Sequence, residues 1–170
     1  MDILDAVKGR RSIRRFKNAP IPAPLLRTLE DSLLEAPSAG NLQSRRFYFV
    51  FRDETRTRLA EAAYRQDFIV EAPLAVVCCA DLSIAKQYGE RGRSLYCLQD
   101  VAASIQNLML VAYSHGLGTV WVGAFNEKGV SRILNLPDHL RPVAVVPVGY
   151  PDEKPSRPGR VPREEAIIHL

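Results

Sequence analysis

The run from Leu74 to Ala80, LAVVCCA, is apolar at every position, short, and partly β-branched. A strand with one face in water alternates polar and apolar residues, so an unbroken run of this length reads as a strand buried on both faces. The rest of the chain must then cover two sides of a central sheet.

Further strands are expected at Phe47–Phe51 (FYFVF), in GTVWVGAF and in PVAVVPVGYP. Pro147 lies within the last of these and has no amide hydrogen, which predicts an edge position or a local irregularity. Helical spacing appears at Ile3–Val7, stopping at Gly9, and at Leu25–Glu35, where Leu25, Leu26, Leu29, Leu33 and Leu34 form one apolar face. Glu54–Tyr64 and Val130–Leu134 give shorter helices. The longest spans Leu95–Ser114, with Leu98, Val101, Ala102, Ile105, Leu108, Met109 and Ala112 on one stripe. Strands alternating with helices indicate α/β or α+β layers, with helices covering a mixed sheet.

With 170 residues, 46% of them hydrophobic, the chain is long enough for one substantial core. No apolar run approaches a membrane span, and the N-terminus places acidic residues ahead of the arginines, unlike a secretory signal. A cytoplasmic protein without a membrane partner is expected. Cys78, Cys79 and Cys97 offer neither a disulfide framework nor metal-ligand spacing, and read as buried thiols. His115, His139 and His169 are scattered, so no metal site is expected. Neither a Gly-x-Ser-x-Gly elbow nor a phosphate-binding Gly-x-x-x-x-Gly-Lys loop is present, and the glycines do not form the dinucleotide fingerprint.

Arg10, Arg11, Ser12, Arg14 and Arg15 form a basic cluster whose forked donors suit phosphate oxygens. Alone, they fit a solvated basic stretch as well. A net charge of +4 also raises nucleic acid as a partner. Against that, the aromatic residues do not interleave with the basic ones, apart from Phe16, and the arginines divide between the two chain ends.

The company of the cluster is more specific. Pro37-Ser38-Ala39-Gly40-Asn41-Leu42-Gln43 precedes a strand, and WVGAFNEKGVSRILNLP leads to VGYP and a basic, proline-rich tail. In this order along nearly the whole chain, these pieces resemble the nitroreductase family of FMN enzymes. The resemblance implies an α+β fold, with helices on both sides of a mixed, mainly antiparallel sheet, in an intertwined homodimer. It implies one domain over residues 1–170, with the tail 151–170 docking on the core or on the partner subunit. It assigns Arg10, Arg11, Ser12 and Arg14 to the FMN phosphate and ribityl chain, joined by Arg160, with Arg157 a weaker candidate and Arg15 outside the pattern. Pro37, Ser38, Ala39 and Asn41 would lie along the flavin, from the partner subunit. Gln66 would face the pyrimidine edge, and the backbone at Gly123 and Ala124 would face flavin N5 and O4.

FMN would then carry the redox chemistry, taking hydride from NADH or NADPH and passing electrons to a small-molecule acceptor such as a nitroaromatic or quinone in a ping-pong cycle. No catalytic side chain is required. The alternative is a non-enzymatic flavin-binding or FMN-storage protein, which shares every cofactor residue.

Overall fold

The computed structural model describes residues 1–170. Four strands, β1 (Arg45–Val50), β2 (Leu74–Asp81), β3 (Gly118–Thr119) and β4 (Leu140–Gly149), form a sheet in the order β1-β2-β4-β3. All three pairings are antiparallel, so the expectation of a mixed sheet is corrected. The one parallel contact is an isolated bridge from Ser12 to Thr119. The reason lies in the connection between β1 and β2. Two helices, α3 (Asp53–Ala62) and α4 (Phe68–Glu71), pack on each other and return the chain to the end of the sheet it left, as an antiparallel neighbour requires.

Every position of β2 is buried. Successive side chains point to opposite faces. Leu74, Val76, Cys78 and Ala80 therefore join Leu29 and Leu33 of α2 (Ala23–Leu34) and Val101, Ile105 and Leu108 of α6 (Cys97–Ser114). Ala75, Val77 and Cys79 join Leu59 and Ala60 of α3 and Val130 of α7 (Glu127–Leu134) on the other side. The apolar face of α2 is narrower than its spacing predicts, because Leu34 is exposed.

The expected strand GTVWVGAF is reduced to β3 and one bridge, Val122 to Val145. These two residues exchange both backbone hydrogen bonds at 3.0 Å. In an antiparallel ladder such pairs recur every second residue, so the next would set Val120 against Pro147, which has no hydrogen to donate. The proline irregularity thus occurs as expected, but in an interior strand, since β4 lies between β2 and β3.

By length and apolar content alone the helical stretch Leu82–Ser114, kinked at Gly89, falls in the range of a membrane span, as the buried core helix of a globular fold also can. Its apolar residues Val101, Ile105, Leu108, Met109 and Ala112 are spent on the core, and the polar Asp100 and Ser104 are buried with them. The remaining helices are α1 (Ile3–Gly9), α5 (Ala85–Arg91) and α8 (Arg163–Ala166).

All three cysteines are free and buried. Burial pushes the Cys78 thiol well above its usual range, Cys79 up to about 12, and Cys97 upward. Since the thiolate is the reactive form, a thiol reagent added to the native protein should modify essentially none of them between pH 7 and 9, and all of them after unfolding. Fast modification of Cys78 or Cys79 in the native protein, read by mass spectrometry, would contradict the packing of β2.

Candidate functional site

After α1 the chain runs extended along the sheet edge. Ile13 N–H donates to Thr119 O at 3.0 Å, Lys17 N–H to Tyr150 O at 2.9 Å, and Asp152 N–H to Arg15 O at 2.9 Å. Ile13 and Phe16 are buried with Ala72 and anchor the segment, leaving Arg14 and Arg15 exposed. Gly118 permits this closeness, because a Cβ there would stand 2.6 Å from Ile13 Cγ1. The backbone N–H of Arg14 donates to the Glu153 carboxylate, which ties the first residues of the tail to the same edge. From Ser156 onward the tail is exposed.

Arg10 is half-buried, and its pKa is held below the usual range by that burial and then by the neighbouring charges of Arg160 and Arg11. None of Arg10, Arg11, Arg14 and Arg160 forms an ion pair. Arg10 and Arg11 line a cleft of about 420 Å³ with Gly9, Tyr113, Glu153 and Lys154. Nη1 of Arg11 donates to the carbonyls of Lys8, Gly9 and Arg10 at 2.8, 3.0 and 2.8 Å, satisfying the end of α1, while Nη2 makes no hydrogen bond. Arg160 touches only the carbonyls of Pro158 and Gly159, at 3.3 and 2.8 Å. Ser12 is held by its bridge to Thr119, and Arg157 is exposed. Arg15 lines a different cleft, with Asp53, Arg56 and Glu71.

Four residues after Thr119 the chain reaches Gly123 and Ala124, both exposed. Gln66 is brought to this turn. Its Nε2 donates to Ala63 O at 2.9 Å and to Ala124 O at 3.1 Å. Tyr64 and Arg65 just before it adopt left-handed backbone, φ 57° and 63°, which ends α3 and turns the chain back. Asn126 N–H donates to Ala62 O at 2.8 Å while its side chain accepts from Gly129 N–H at 2.9 Å and caps α7, so the turn is clamped between two helices.

The Pro37–Asn41 loop stands elsewhere. Gly40, Asn41 and Gln43 take φ values of 54°, 55° and 52°, and Ser38 Oγ accepts from Gln43 N–H at 3.0 Å. Two residues absent from the sequence reading shape it. Asp100 Oδ1 accepts from Ala39 N–H at 2.9 Å. Arg45, buried at the start of β1, donates to the carbonyls of Leu34, Ala36 and Pro37 at 2.9, 2.7 and 3.1 Å. Burial lowers the Arg45 pKa and Asp100 partly opposes this. The visible signal for Asp100 was a charge on the buried stripe of α6; Arg45 beside an exposed Arg46 gave none.

Asp100 and Tyr113, which borders the arginine cleft, lie about 20 Å apart along α6. Within one chain the sequence-derived site residues therefore form two groups. Arg10, Arg11, Ser12, Arg14, Gln66, Gly123, Ala124 and Arg160 gather along the β3 edge and its turn; Pro37, Ser38, Ala39 and Asn41 sit at the other end of α6. No three His, Cys, Asp or Glu side chains cluster as metal ligands.

A model of the nitroreductase family matches residues 7–66 and 60–150. The chain is 34% identical to the NADH dehydrogenase of Thermus thermophilus over 99% of this chain and 96% of that protein. It is 27% identical to the FMN reductase (NADPH) of Bacillus subtilis, over 98% of this chain and 72% of the other. Nitroreductase A from Vibrio parahaemolyticus has a similar solved structure, with a TM-score of 0.92 at 28% identity, covering 99% of this chain and 76% of that one.

The carbonyls held by Arg45 have no other donor on this side of the loop that could replace a guanidinium fork. Arg45→Met should cost about 3 kcal/mol in urea unfolding, since it strands the buried carbonyl of Ala36 and the part-buried carbonyls of Leu34 and Pro37. Arg46→Met, which removes from a largely exposed side chain a long pair to Asp81 at 4.0 Å and a local bond to the Arg45 carbonyl at 2.8 Å, should change stability by less than about 1 kcal/mol. Equal effects would show that Arg45 does not organise the loop.

Proposed function

This chain belongs to the nitroreductase family, and from that premise we propose that it is an FMN-dependent NAD(P)H oxidoreductase working as a homodimer. The observation that carries the reading is the cluster of Arg10, Arg11 and Arg160. Three guanidinium groups share one edge and none forms an ion pair, although Glu153 lines the same cleft and is spent on the Arg14 amide; burial and then mutual repulsion depress the Arg10 pKa. A bound dianion such as the FMN phosphate relieves that repulsion, and the forked donors match its oxygens.

FMN held here would supply the redox chemistry between NADH or NADPH as hydride donor and a nitroaromatic, quinone or similar acceptor taking the donor's place. The chain's own residues bind and orient. Arg10, Arg11 through its free Nη2, Ser12, Arg14 and Arg160 hold the phosphate end. Gln66 spends both Nε2 hydrogens on carbonyls, which leaves Oε1 as an acceptor for an N–H at the pyrimidine edge. The exposed backbone of Gly123 and Ala124 offers amide dipoles to charge gathered on the reduced ring.

The homodimer reading draws on the separation along α6. A loop about 20 Å from the arginine cleft reaches a flavin at that cleft more readily from a second copy than from its own chain. Exposed apolar residues at the chain ends, Ile3, Leu4 and Val7 in α1 and Val161 and Ile168 in the tail, give such a copy surface to bury. We read residues 1–170 as one domain whose tail beyond Ser156 docks on the partner.

The test is a visible spectrum of the purified protein, followed on anaerobic addition of NADH or NADPH. Yellow protein bleached by the nicotinamide is the expected result. Protein that takes up no FMN overturns the reading, and yellow protein that neither nicotinamide bleaches favours a storage role. Arg10→Ala and Arg160→Ala should each weaken FMN binding about tenfold or more, and Arg15→Ala much less. Equal losses in all three would indicate a diffuse basic patch.

A further inference from the structure

The segment between β2 and α6 carries a concentration of backbone features that the FMN site does not use. Gly89 interrupts α5 with φ 56° and ψ −148°, a conformation open essentially only to glycine. Gly92 is buried, and a Cβ there would stand 2.7 Å from Tyr88 Cβ. Gly92–Tyr96 then forms a π-helical turn, a form found mostly as single turns and frequently at functional sites.

Together these features present one side-chain array. The rings of Tyr88 and Tyr96 meet edge to face, with centroids 5.4 Å apart and planes at 81°. Arg91 Nε donates to Tyr96 Oη at 2.9 Å, and its guanidinium carbon lies 5.4 Å from the Tyr96 ring centre. Arg91 makes no other hydrogen bond and no ion pair, so Nη1 and Nη2 are oriented and free. The array adjoins the candidate flavin loop, because a Cβ on Gly40 would collide with the Tyr88 hydroxyl.

We propose that Tyr88, Arg91 and Tyr96 form a binding subsite for the nicotinamide donor, with Arg91 gripping a phosphate of the dinucleotide and the tyrosines bordering its path to the flavin loop. An exposed arginine that serves only its own fold loses side-chain entropy on being held. Here it is tied through Nε and stacked on a ring, which leaves the two donors that match a phosphate in place before ligand arrives. The aromatic faces beside it suit a planar ring. The inference rests on reading the Pro37–Asn41 loop as a flavin contact.

The decisive measurement is steady-state kinetics of Arg91→Ala holoenzyme with NADH and with NADPH, alongside FMN content and thermal melting. FMN content and melting temperature should match the parent protein, kcat should stay within about twofold, and KM for the donor should rise about tenfold, as for a lost charge-assisted contact. A rise for both donors places Arg91 on the pyrophosphate; a rise for NADPH alone places it on the 2′-phosphate. Arg93→Ala, two positions on and facing Lys86 and His139, should leave both KM values unchanged. Unchanged donor KM in Arg91→Ala, a change confined to the acceptor, or loss of FMN together with stability overturns the proposal. If the parent protein binds no FMN, the flavin reading has failed instead.

Discussion

The packing of α6 across one face of β2 is the interaction on which the rest of the molecule depends. Val101, Ile105 and Leu108 interlock with alternate residues of a strand that is buried throughout, so the helix can neither slide nor rotate without opening the core. Both candidate half-sites take their positions from it. Asp100 near one end receives the amide of Ala39, and Tyr113 near the other borders the arginine cleft. The rigid rod between them sets the spacing that two copies would have to match.

Electrostatics divides the arginines into two kinds. Arg45 is buried and surrounded by carbonyls, so its charge is spent holding backbone, and its unpartnered Nε marks the limit of what that pocket offers. Arg56 behaves similarly, with Asp53 at 2.7 Å and the carbonyl of Pro73 at 3.2 Å. Arg10 and Arg160 hold no distant backbone, Arg160 donating only to the carbonyls of its own neighbours Pro158 and Gly159. They crowd one another at the edge where the chain ends meet, and like charges left together without an ion pair are a disposition that folding alone does not favour. The first kind builds the scaffold; the second is the kind to which the proposed phosphate site is assigned.

Much of this was legible in the sequence because it follows from pattern. The unbroken run at Leu74–Ala80 gave the central strand, and the long stripe gave α6 within about two residues at its start. Pairing direction was not legible, since alternation of helix and strand does not say whether a connection crosses over or doubles back, as α3 and α4 do. The truncation of β3 depended on which strand would lie opposite Pro147, a tertiary fact. Arg45 was invisible for a similar reason: a guanidinium between an exposed arginine and a serine looks like surface until three carbonyls of a preceding loop close around it.

The glycines explain why the loop and the segment after β2 must be considered together. Gly40 lacks a side chain where the Tyr88 hydroxyl sits, and Gly92 lacks one where the Tyr88 Cβ sits, so one tyrosine is admitted by two glycines from separate parts of the chain. Gly89 supplies the backbone bend between them. Each position is fixed as glycine by this geometry, since a Cβ at Gly40 or Gly92 would clash and the Gly89 backbone is open essentially only to glycine, at the cost of the extra conformational freedom glycine loses on folding. Three together, serving one tyrosine next to one arginine that is aimed and unpaired, locate local irregularity where consistency between sequence and fold is expected to yield to function.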